Sequence, residues 1–423
     1  MIVLRGKGFL AIATVALVWS FTPVAVADTG AAERTALLEA QRSGHPVELT
    51  ESLEAHSRTV AEPGGTLTTS RSVHPERVRT PGGWVPVDTA LRFAENRVVP
   101  GATTTEVQLS GGGDQPLLRL TDAGPSDVGH SAAVRWPGPL PKPELDGNAA
   151  RYRQAAPGVD VIARVSADGV RLTVESASAG PLRFALDTAG VTVRDRDGAL
   201  EFVDGAGQAL FAAATPWVGV PRGGDAARKP GRFAVLAPGS VEVRLPEGMS
   251  GPVAAELAFT GAKPNWTMVD SGFAKVSYWN STESAKAGTY DAGEHRLRSF
   301  FVFDTRGLGG REITSASVTG MENWAWSCSP RPVELWRTGP VDKTTTWEKQ
   351  PEWLAKLSTL SVAKGYNSTC PSGPVTFDVT PLVKDAAVRG LASVTVGLRA
   401  TDEADNLHWK RFENNPVLSV RLR

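Results

Sequence analysis

Short runs in which apolar and polar residues alternate dominate this chain. A period of two is typical of strands that bury one face and leave the other in water. Turn-forming Gly and Asp-Gly positions separate the runs, and the 43 Gly and 30 Pro fit a chain with many turns. The pattern predicts an all-β protein. The clearest runs are residues 170–174, 182–186, 241–245, 375–379, 394–398 and 418–422.

Two segments carry helical signals instead. Residues 28–44 are predicted to be a short helical or linker segment that stops at Gly44. Residues 380–390 read as a second helix, with Thr380 as N-cap, Pro381 in the first turn and Gly390 at the end. Its apolar residues share one face, so we expect this helix to cap one end of a β-sandwich.

The composition changes near residue 263 and predicts two domains. Eight of the 12 Trp residues and both Cys residues lie after this point. We therefore predict two β-sandwich domains, a β-rich N-terminal domain over residues 45–262 and a C-terminal domain over residues 263–423.

The first 27 residues predict a secretory signal peptide. Arg5 and Lys7 precede an apolar run over residues 9–21, and small residues precede a cleavage site after Ala27. A membrane anchor is the alternative, because apolar residues continue almost to Ala27. Pro23 and the small residues favour cleavage. We expect a secreted, extracellular protein that does not span the membrane after cleavage.

Charge and cysteine content narrow the partners and the compartment. The formal net charge is 0, and loss of Arg5 and Lys7 with the leader makes it about −2. This balance offers no electrostatic reason to expect a nucleic-acid partner. Cys328 and Cys370 predict one disulfide outside the cell, with two free thiols as the alternative.

Several motifs resemble those of known secreted proteins. The segments 83–88 (GWVPVD) and 152–160 (YRQAAPGVD) are similar to motifs of large secreted bacterial surface proteins. In the C-terminal half, an ordered series resembles the DNRLRE-type domain of high-GC Gram-positive bacteria. The series comprises RSFFVFD (298–304), ITSA (313–316), TTWEKQP (345–351), FDVT (377–380), GLRA (397–400) and NPVL (415–418).

The resemblance implies a fold and a class of ligand. DNRLRE-type domains are jelly rolls similar to carbohydrate-binding modules, and they occur upstream of LamG-like or toxin domains. The resemblance implies that residues 263–423 form a jelly roll. It also implies, in part, that the partner is a polysaccharide or a cell-surface glycan.

Aromatic residues are the candidate binding site. Sugar rings stack their C–H faces on aromatic rings, while polar neighbours bind the hydroxyl groups. The alternative for each Trp is a place in the core of the sandwich. Alternation places Trp409 and Arg411 on one face, which favours exposure of that face. The tentative carbohydrate-binding residues are Trp409, Arg411, Trp324, Trp326 and Trp353.

The sequence offers weak signals for a metal and none for catalysis. Asp402, Glu403 and Asp405 form a carboxylate cluster that is a candidate for structural Ca²⁺, with a solvated turn as the alternative. No other cofactor is expected. The His spacings match no metal-binding motif, and the sequence has no Gly-x-Ser-x-Gly element.

These observations predict a secreted, non-catalytic protein that binds an extracellular or cell-wall polysaccharide. One alternative is a structural or presenting module of a cell-surface or toxin-delivery architecture, with protein partners. Another is a polysaccharide-degrading enzyme with an attached binding module.

Overall fold

The computed structural model describes residues 29–122, 129–223, 227–261, 265–279 and 281–423. The predicted signal peptide and the predicted domain boundary lie outside these ranges. Two α-helices are described, α1 (Thr29–Ser43) and α2 (Thr380–Arg389). Each is followed by a left-handed glycine, Gly44 or Gly390, which ends the helix without a Cβ clash. In the described part of the chain, neither helix has the length and apolar character that crossing a bilayer requires.

The prediction of the second helix needs one correction at its start. Val379 occupies the N-cap position, and Thr380 is already helical. The side chain of Asp378 accepts a hydrogen bond from the Thr380 backbone N–H at 2.9 Å. An aspartate two residues before the expected cap therefore satisfies the free amide at this helix start.

The strands before residue 87 are short and belong to two sheets. The first three strands belong to the larger sheet. The last two pair with each other as a separate hairpin that ends at Pro86. The strands are β1 (Val47–Glu48), β2 (Ser57–Ala61), β3 (Leu67–Ser72), β4 (Arg77–Thr80) and β5 (Gly83–Pro86).

The next eighteen strands described form two sheets that pack face to face, here called the central sandwich. One sheet has the order β21-β22-β15-β10-β9-β8-β7-β6 and the other β11-β12-β13-β14-β23-β18-β17-β16, with β19 and β20 beside β23. Their buried Val, Leu and Phe residues form one core. The strands are β6 (Asp88–Ala94), β7 (Arg97–Ala102), β8 (Glu106–Ser110), β9 (Leu118–Thr121), β10 (Ser131–Arg135), β11 (Glu144–Asp146), β12 (Ala149–Ala156), β13 (Val159–Val165), β14 (Gly169–Ser176), β15 (Leu182–Ala189), β16 (Thr192–Arg196), β17 (Ala199–Val203), β18 (Ala209–Ala213), β19 (Trp217–Gly219), β20 (Lys229–Pro230), β21 (Arg232–Ala237), β22 (Ser240–Arg244) and β23 (Val253–Gly261).

The remaining strands form a second unit, here called the terminal sandwich. They are β24 (Trp266–Asp270), β25 (Ala285–Thr289), β26 (Arg296–Asp304), β27 (Ile313–Ala325), β28 (Arg331–Thr338), β29 (Trp353–Val362), β30 (Gly373–Asp378), β31 (Ser393–Ala400), β32 (Lys410–Phe412) and β33 (Val417–Leu422). One layer follows the order β1-β2-β3-β33-β27-β32-β25, with β30 beside β27. The other follows β26-β31-β28-β29, with β24 beside β26. Strand β25 joins the layers, because it pairs with both β32 and β26.

The terminal sandwich includes residues from both ends of the described chain. Strand β3 runs antiparallel to β33, with Leu67 opposite Leu422 and Ser72 opposite Val417. The two layers and both helices enclose one apolar core. Residues 47–72 therefore share a sheet with residues 417–422. The all-β sandwich fold with one disulfide and a short C-terminal helix is confirmed.

Buried ion pairs connect the two sandwiches. The carboxylate of Glu283 lies 3.1 Å from Arg228 in the central sandwich and 2.7 Å from Lys286 on β25. Burial of Glu283 would raise its pKa, but Lys286 and Arg228 lower it to about 2. The folded-state pKa of Glu283 lies below its ordinary value of about 4.5. Ionised Glu283 therefore contributes its full stabilisation of the folded state above about pH 4.5.

We expect this stabilisation to be lost as the pH falls from about 4.5 to about 2. Glu283→Gln should therefore flatten the dependence of the free energy of unfolding on pH in that interval, measured by urea unfolding at a series of pH values. The exposed Glu51→Gln variant serves as the control. An unchanged slope in Glu283→Gln would contradict the assignment.

Candidate functional site

A β-bulge in the terminal sandwich positions two of the predicted site residues. Along β27, Glu322 pairs with Phe412 and Trp324 pairs with Arg411, so that Asn323 is an extra residue without a partner on β32. Such a bulge bends its strand and redirects the side chains that follow. Glu322 points into the protein, while Trp324 is only partly buried.

Trp326, just beyond the end of β27, has an exposed ring. The residue as a whole keeps 37% of its exposure, and its ring meets that of Trp324 edge to face, with centroids 5.7 Å apart. The Arg411 guanidinium lies over Trp324 at 5.1 Å from the ring centroid. The edge-to-face contact with Trp324, whose own ring is covered by Arg411, gives the exposed ring a supported base.

The disulfide holds a second exposed aromatic residue close to the bulge. Cys328 and Cys370 are bonded. The loop before Cys370 passes so close to the bulge that a Cβ on Gly365 would lie 2.3 Å from the Asn323 carbonyl group. Gly365 also has a φ of 80°, so a glycine is required there. Its neighbour Tyr366 is 50% exposed. We call Trp324, Trp326, Tyr366 and Arg411 the bulge surface.

Trp409 lies elsewhere than the sequence pattern favoured. Its side chain is 0% exposed, and its ring contacts Tyr290 edge to face at 5.3 Å. The Arg411 guanidinium lies 5.9 Å from the Trp409 centroid. The expectation that Trp409 is exposed is therefore corrected: Arg411 separates it from Trp324, and its ring belongs to the core.

Lys410 and Glu322 form an ion pair directly beneath the bulge. The Lys410 Nζ is 3.1 Å from Glu322 Oε1 and donates to the Val362 carbonyl oxygen at 2.6 Å. Both side chains are almost fully buried. Burial raises the pKa of Glu322 and lowers the pKa of Lys410, and in each case it outweighs the attraction of the partner.

Trp353 belongs to a different cluster, on the opposite layer. There the Arg399 guanidinium lies 4.3 Å from the centroid of Trp336 and 4.9 Å from that of Trp353. Arg298 lies 5.5 Å from the centroid of Trp353 and 4.5 Å from that of Trp347. We call these five side chains the Trp–Arg ladder. Guanidinium groups and neighbouring rings occupy the space around Trp353 that a sugar would need.

Two carboxylates fix the guanidinium groups of the ladder. Glu403 accepts two hydrogen bonds from Arg298, at 2.9 and 2.6 Å. Glu334 accepts from Arg399 at 3.1 Å and from the Trp336 indole N–H at 2.8 Å. Burial opposes ionisation of Glu334, but these hydrogen bonds outweigh it and keep its pKa below the usual range. This internal pairing is typical of a structural cluster.

The ladder depends on a missing side chain at Gly397. A Cβ there would lie 2.8 Å from Trp353 Cζ3 and 2.8 Å from Thr338 Cγ2. We expect Gly397→Ala to displace Trp353 and to lower the free energy of unfolding by about 1–3 kcal/mol. Urea unfolding measures this loss, with Gly309→Ala as control, since a Cβ on exposed Gly309 meets only an ordinary contact at 3.7 Å. Equal stability of both variants would contradict the packing argument.

A polar cleft of about 530 Å³ lies where β2 and β3 meet β26, and three of its charged side chains pair with one another. Arg71 contacts the Asp304 carboxylate at 3.3 Å and donates to the Arg306 carbonyl oxygen at 2.7 Å. Arg306 also pairs with Asp304. The residues that line this cleft include no Trp, Tyr or Phe side chain. It is a poorer candidate for sugar stacking than the bulge surface.

The carboxylate cluster after β31 is arranged differently from the Ca²⁺ candidate. Glu403 is engaged by Arg298, whereas Asp402 and Asp405 approach His408. The prediction of Asp402, Glu403 and Asp405 as one Ca²⁺ site is therefore corrected.

The structure thus brings together Trp324, Trp326 and Arg411 and separates them from Trp353. Sequence reasoning missed Tyr366 and His408. The one sequence signal for Tyr366 is its position after a glycine, within the segment that the predicted disulfide closes.

Comparisons with known proteins identify no family. No family model and no curated protein matches the chain. Among solved structures, the chain is similar to a β-porphyranase of glycoside hydrolase family 86 from Bacteroides plebeius, with 10% identity over 66% of this chain and a TM-score of 0.18. It spans 39% of that enzyme's length. It is also similar to an exo-β-1,3-galactanase from Phanerochaete chrysosporium, with 10% identity over 76% of this chain, 100% of that chain covered and a TM-score of 0.17. TM-scores this low carry no argument about function.

Proposed function

We propose that this is a secreted, non-catalytic protein that binds an extracellular or cell-wall polysaccharide through the bulge surface. The observation that carries the proposal is the exposed ring of Trp326, supported edge to face by Trp324. The resemblance of residues 263–423 to carbohydrate-binding-module-like domains supports the class of ligand. The Cys328–Cys370 bond supports secretion, because disulfides persist in oxidising compartments.

The chemistry of the surface suits a sugar chain. An exposed indole offers a flat apolar face to the C–H groups of a pyranose ring. Tyr366 adds a second exposed ring with a hydroxyl group that donates or accepts hydrogen bonds. The bulge and the disulfide hold both residues before the ligand arrives, which reduces the entropy cost of binding. Two exposed rings make a small contact, so we expect weak binding that gains strength along a repeating chain.

Affinity electrophoresis against a panel of soluble polysaccharides tests the proposal. We expect the migration of the protein to be retarded by at least one polysaccharide. Trp326→Ala should weaken that binding about tenfold, the value of one stacking contact of about 1.4 kcal/mol. Phe93→Ala removes another exposed aromatic side chain, in the central sandwich, and should bind like the wild type.

Other outcomes would favour the alternatives. Absence of retardation across the panel would contradict polysaccharide binding and favour a presenting module with protein partners. Release of reducing ends or unsaturated products from a polysaccharide would favour an enzyme. Unfolding of Trp326→Ala, checked by circular dichroism, would transfer the test to Tyr366→Ala, whose side chain is the more exposed.

A further inference from the structure

Three potential metal ligands converge in the segment between β31 and β32. Asp402, Asp405 and His408 each offer one donor atom, and these atoms lie within 4.8 Å of one another. The short 3-10 helix Asn406–His408 ends this segment. Asp405 is the N-cap of this turn, and its carboxylate lies 3.4 Å from His408 Nδ1.

His408 provides a separate observation that indicates a ligand. Its side chain keeps only 12% of its exposure. Its Nδ1 atom is buried and has no hydrogen-bond partner among the residues that the structure describes. Asp405 Oδ2 lies 3.4 Å from Nδ1, but the contact lacks hydrogen-bond geometry. Two ligands bound at about 2.1 Å from one metal ion, at an angle of about 90–110°, stand roughly 3.0–3.4 Å apart.

Backbone amides orient the two carboxylates. Asp402 Oδ1 accepts a hydrogen bond from the Ala404 N–H at 2.9 Å, and Asp405 Oδ1 accepts from the Leu407 N–H at 2.9 Å. The Oδ2 atom of Asp405 is thereby directed towards His408. A carboxylate fixed in this way loses little freedom when it binds an ion.

We propose that Asp402, Asp405 and His408 bind a divalent transition-metal ion, with Zn²⁺ as the best match. An imidazole nitrogen with two carboxylate oxygens suits Zn²⁺, whereas Ca²⁺ prefers six to eight oxygen ligands. Three protein ligands with a water molecule complete a tetrahedral Zn²⁺ site. Glu403, which would complete an all-oxygen site, is held by Arg298.

The ion would cross-link the segment internally, since all three ligands lie between β31 and β32. The same segment carries Glu403, which fixes Arg298 in the Trp–Arg ladder, and it leads directly into buried Trp409. An ion that binds only the folded state stabilises it by mass action. We therefore expect Zn²⁺ to raise the midpoint of thermal unfolding in addition to binding.

Isothermal titration of the metal-stripped full chain with Zn²⁺ tests the proposal. We expect one ion per chain. Asp402→Asn and His408→Gln should each weaken binding at least about tenfold and abolish the thermal shift. Glu403→Gln should retain both, because Glu403 is not a ligand, and His45→Gln controls for removal of an exposed histidine.

Three results would overturn the proposal: no Zn²⁺ binding, Zn²⁺ binding that survives Asp402→Asn, or Ca²⁺ binding that Glu403→Gln removes. If His408→Gln fails to fold, exposed Asp402 still decides the question, since Asp402→Asn changes one surface side chain. Weakened binding in Asp402→Asn together with retained binding in Glu403→Gln supports the proposal on its own.

Discussion

Lys410→Met should lower the free energy of unfolding by about 3–5 kcal/mol, because it leaves a buried carboxylate without its counter-ion. Lys410 and Glu322 are 1% and 0% exposed, and Lys410 Nζ is 3.1 Å from Glu322 Oε1. Among the described residues, the second carboxylate oxygen, Oε2, has no hydrogen-bond partner. Urea unfolding at neutral pH measures the loss.

The pH dependence of this variant supplies an internal check. The pKa of Glu322 is raised by burial even with Lys410 present. A group with a raised folded-state pKa favours the folded state below its unfolded pKa, and this contribution is lost as the pH rises through the folded value. Lys410→Met should therefore be less destabilised at pH 4 than at pH 8.

The double variant Glu322→Leu/Lys410→Met separates the pair from its packing. Replacing both members of a buried ion pair with apolar residues is often neutral or stabilising. We expect the double variant to recover most of the stability, apart from about 1 kcal/mol for the lost hydrogen bond to Val362. A double variant as unstable as Lys410→Met would show that the cost arises from packing and not from charge.

Removal of the disulfide should cost about 4 kcal/mol, because the bond closes a segment of roughly 43 residues and limits the entropy of the unfolded chain. Cys328 and Cys370 are 42 positions apart in the sequence. The variant with serine at both positions should unfold at a lower urea concentration than the oxidised wild type. It should also bind polysaccharide more weakly, because Tyr366 and Trp326 lose their tether.

Reduction of the wild type provides the matched comparison. A thiol reductant should bring its unfolding curve close to that of the double-serine variant, and it should leave that variant unchanged. Coincident curves for oxidised and reduced wild type would contradict a stabilising disulfide.

Local patterns predicted the strands well, whereas pairing between distant segments left no signal. The runs 375–379 and 418–422 alternate because each strand buries one face, and both lie in the terminal sandwich. The pairing of β3 with β33 joins residues about 350 positions apart. Their alternation is compatible with many partners, so the sequence could not assign residues 47–72 to the terminal sandwich.

The sequence predicted only some of the neighbours in the candidate site, again because local patterns do not record contacts between distant segments. Spacing placed Trp324 and Trp326 together, and the disulfide fixed their surroundings. Alternation could not show that Arg411 lies between Trp324 and Trp409 and leaves only Trp324 near the surface. Nor could it show that Glu403 turns to Arg298 while His408 joins Asp402 and Asp405. Both outcomes depend on contacts across the sheets.

Fluorine NMR of the protein labelled with 5-fluorotryptophan tests most directly whether the bulge surface binds polysaccharide. The Trp326 signal is assigned by its absence in Trp326→Phe, and those of Trp353 and Trp409 in the same way. On titration with a polysaccharide that retards the protein, we predict that the Trp326 signal shifts while the Trp353 and Trp409 signals stay in place. A Trp326 signal that remains unchanged while the protein binds the polysaccharide would contradict the account.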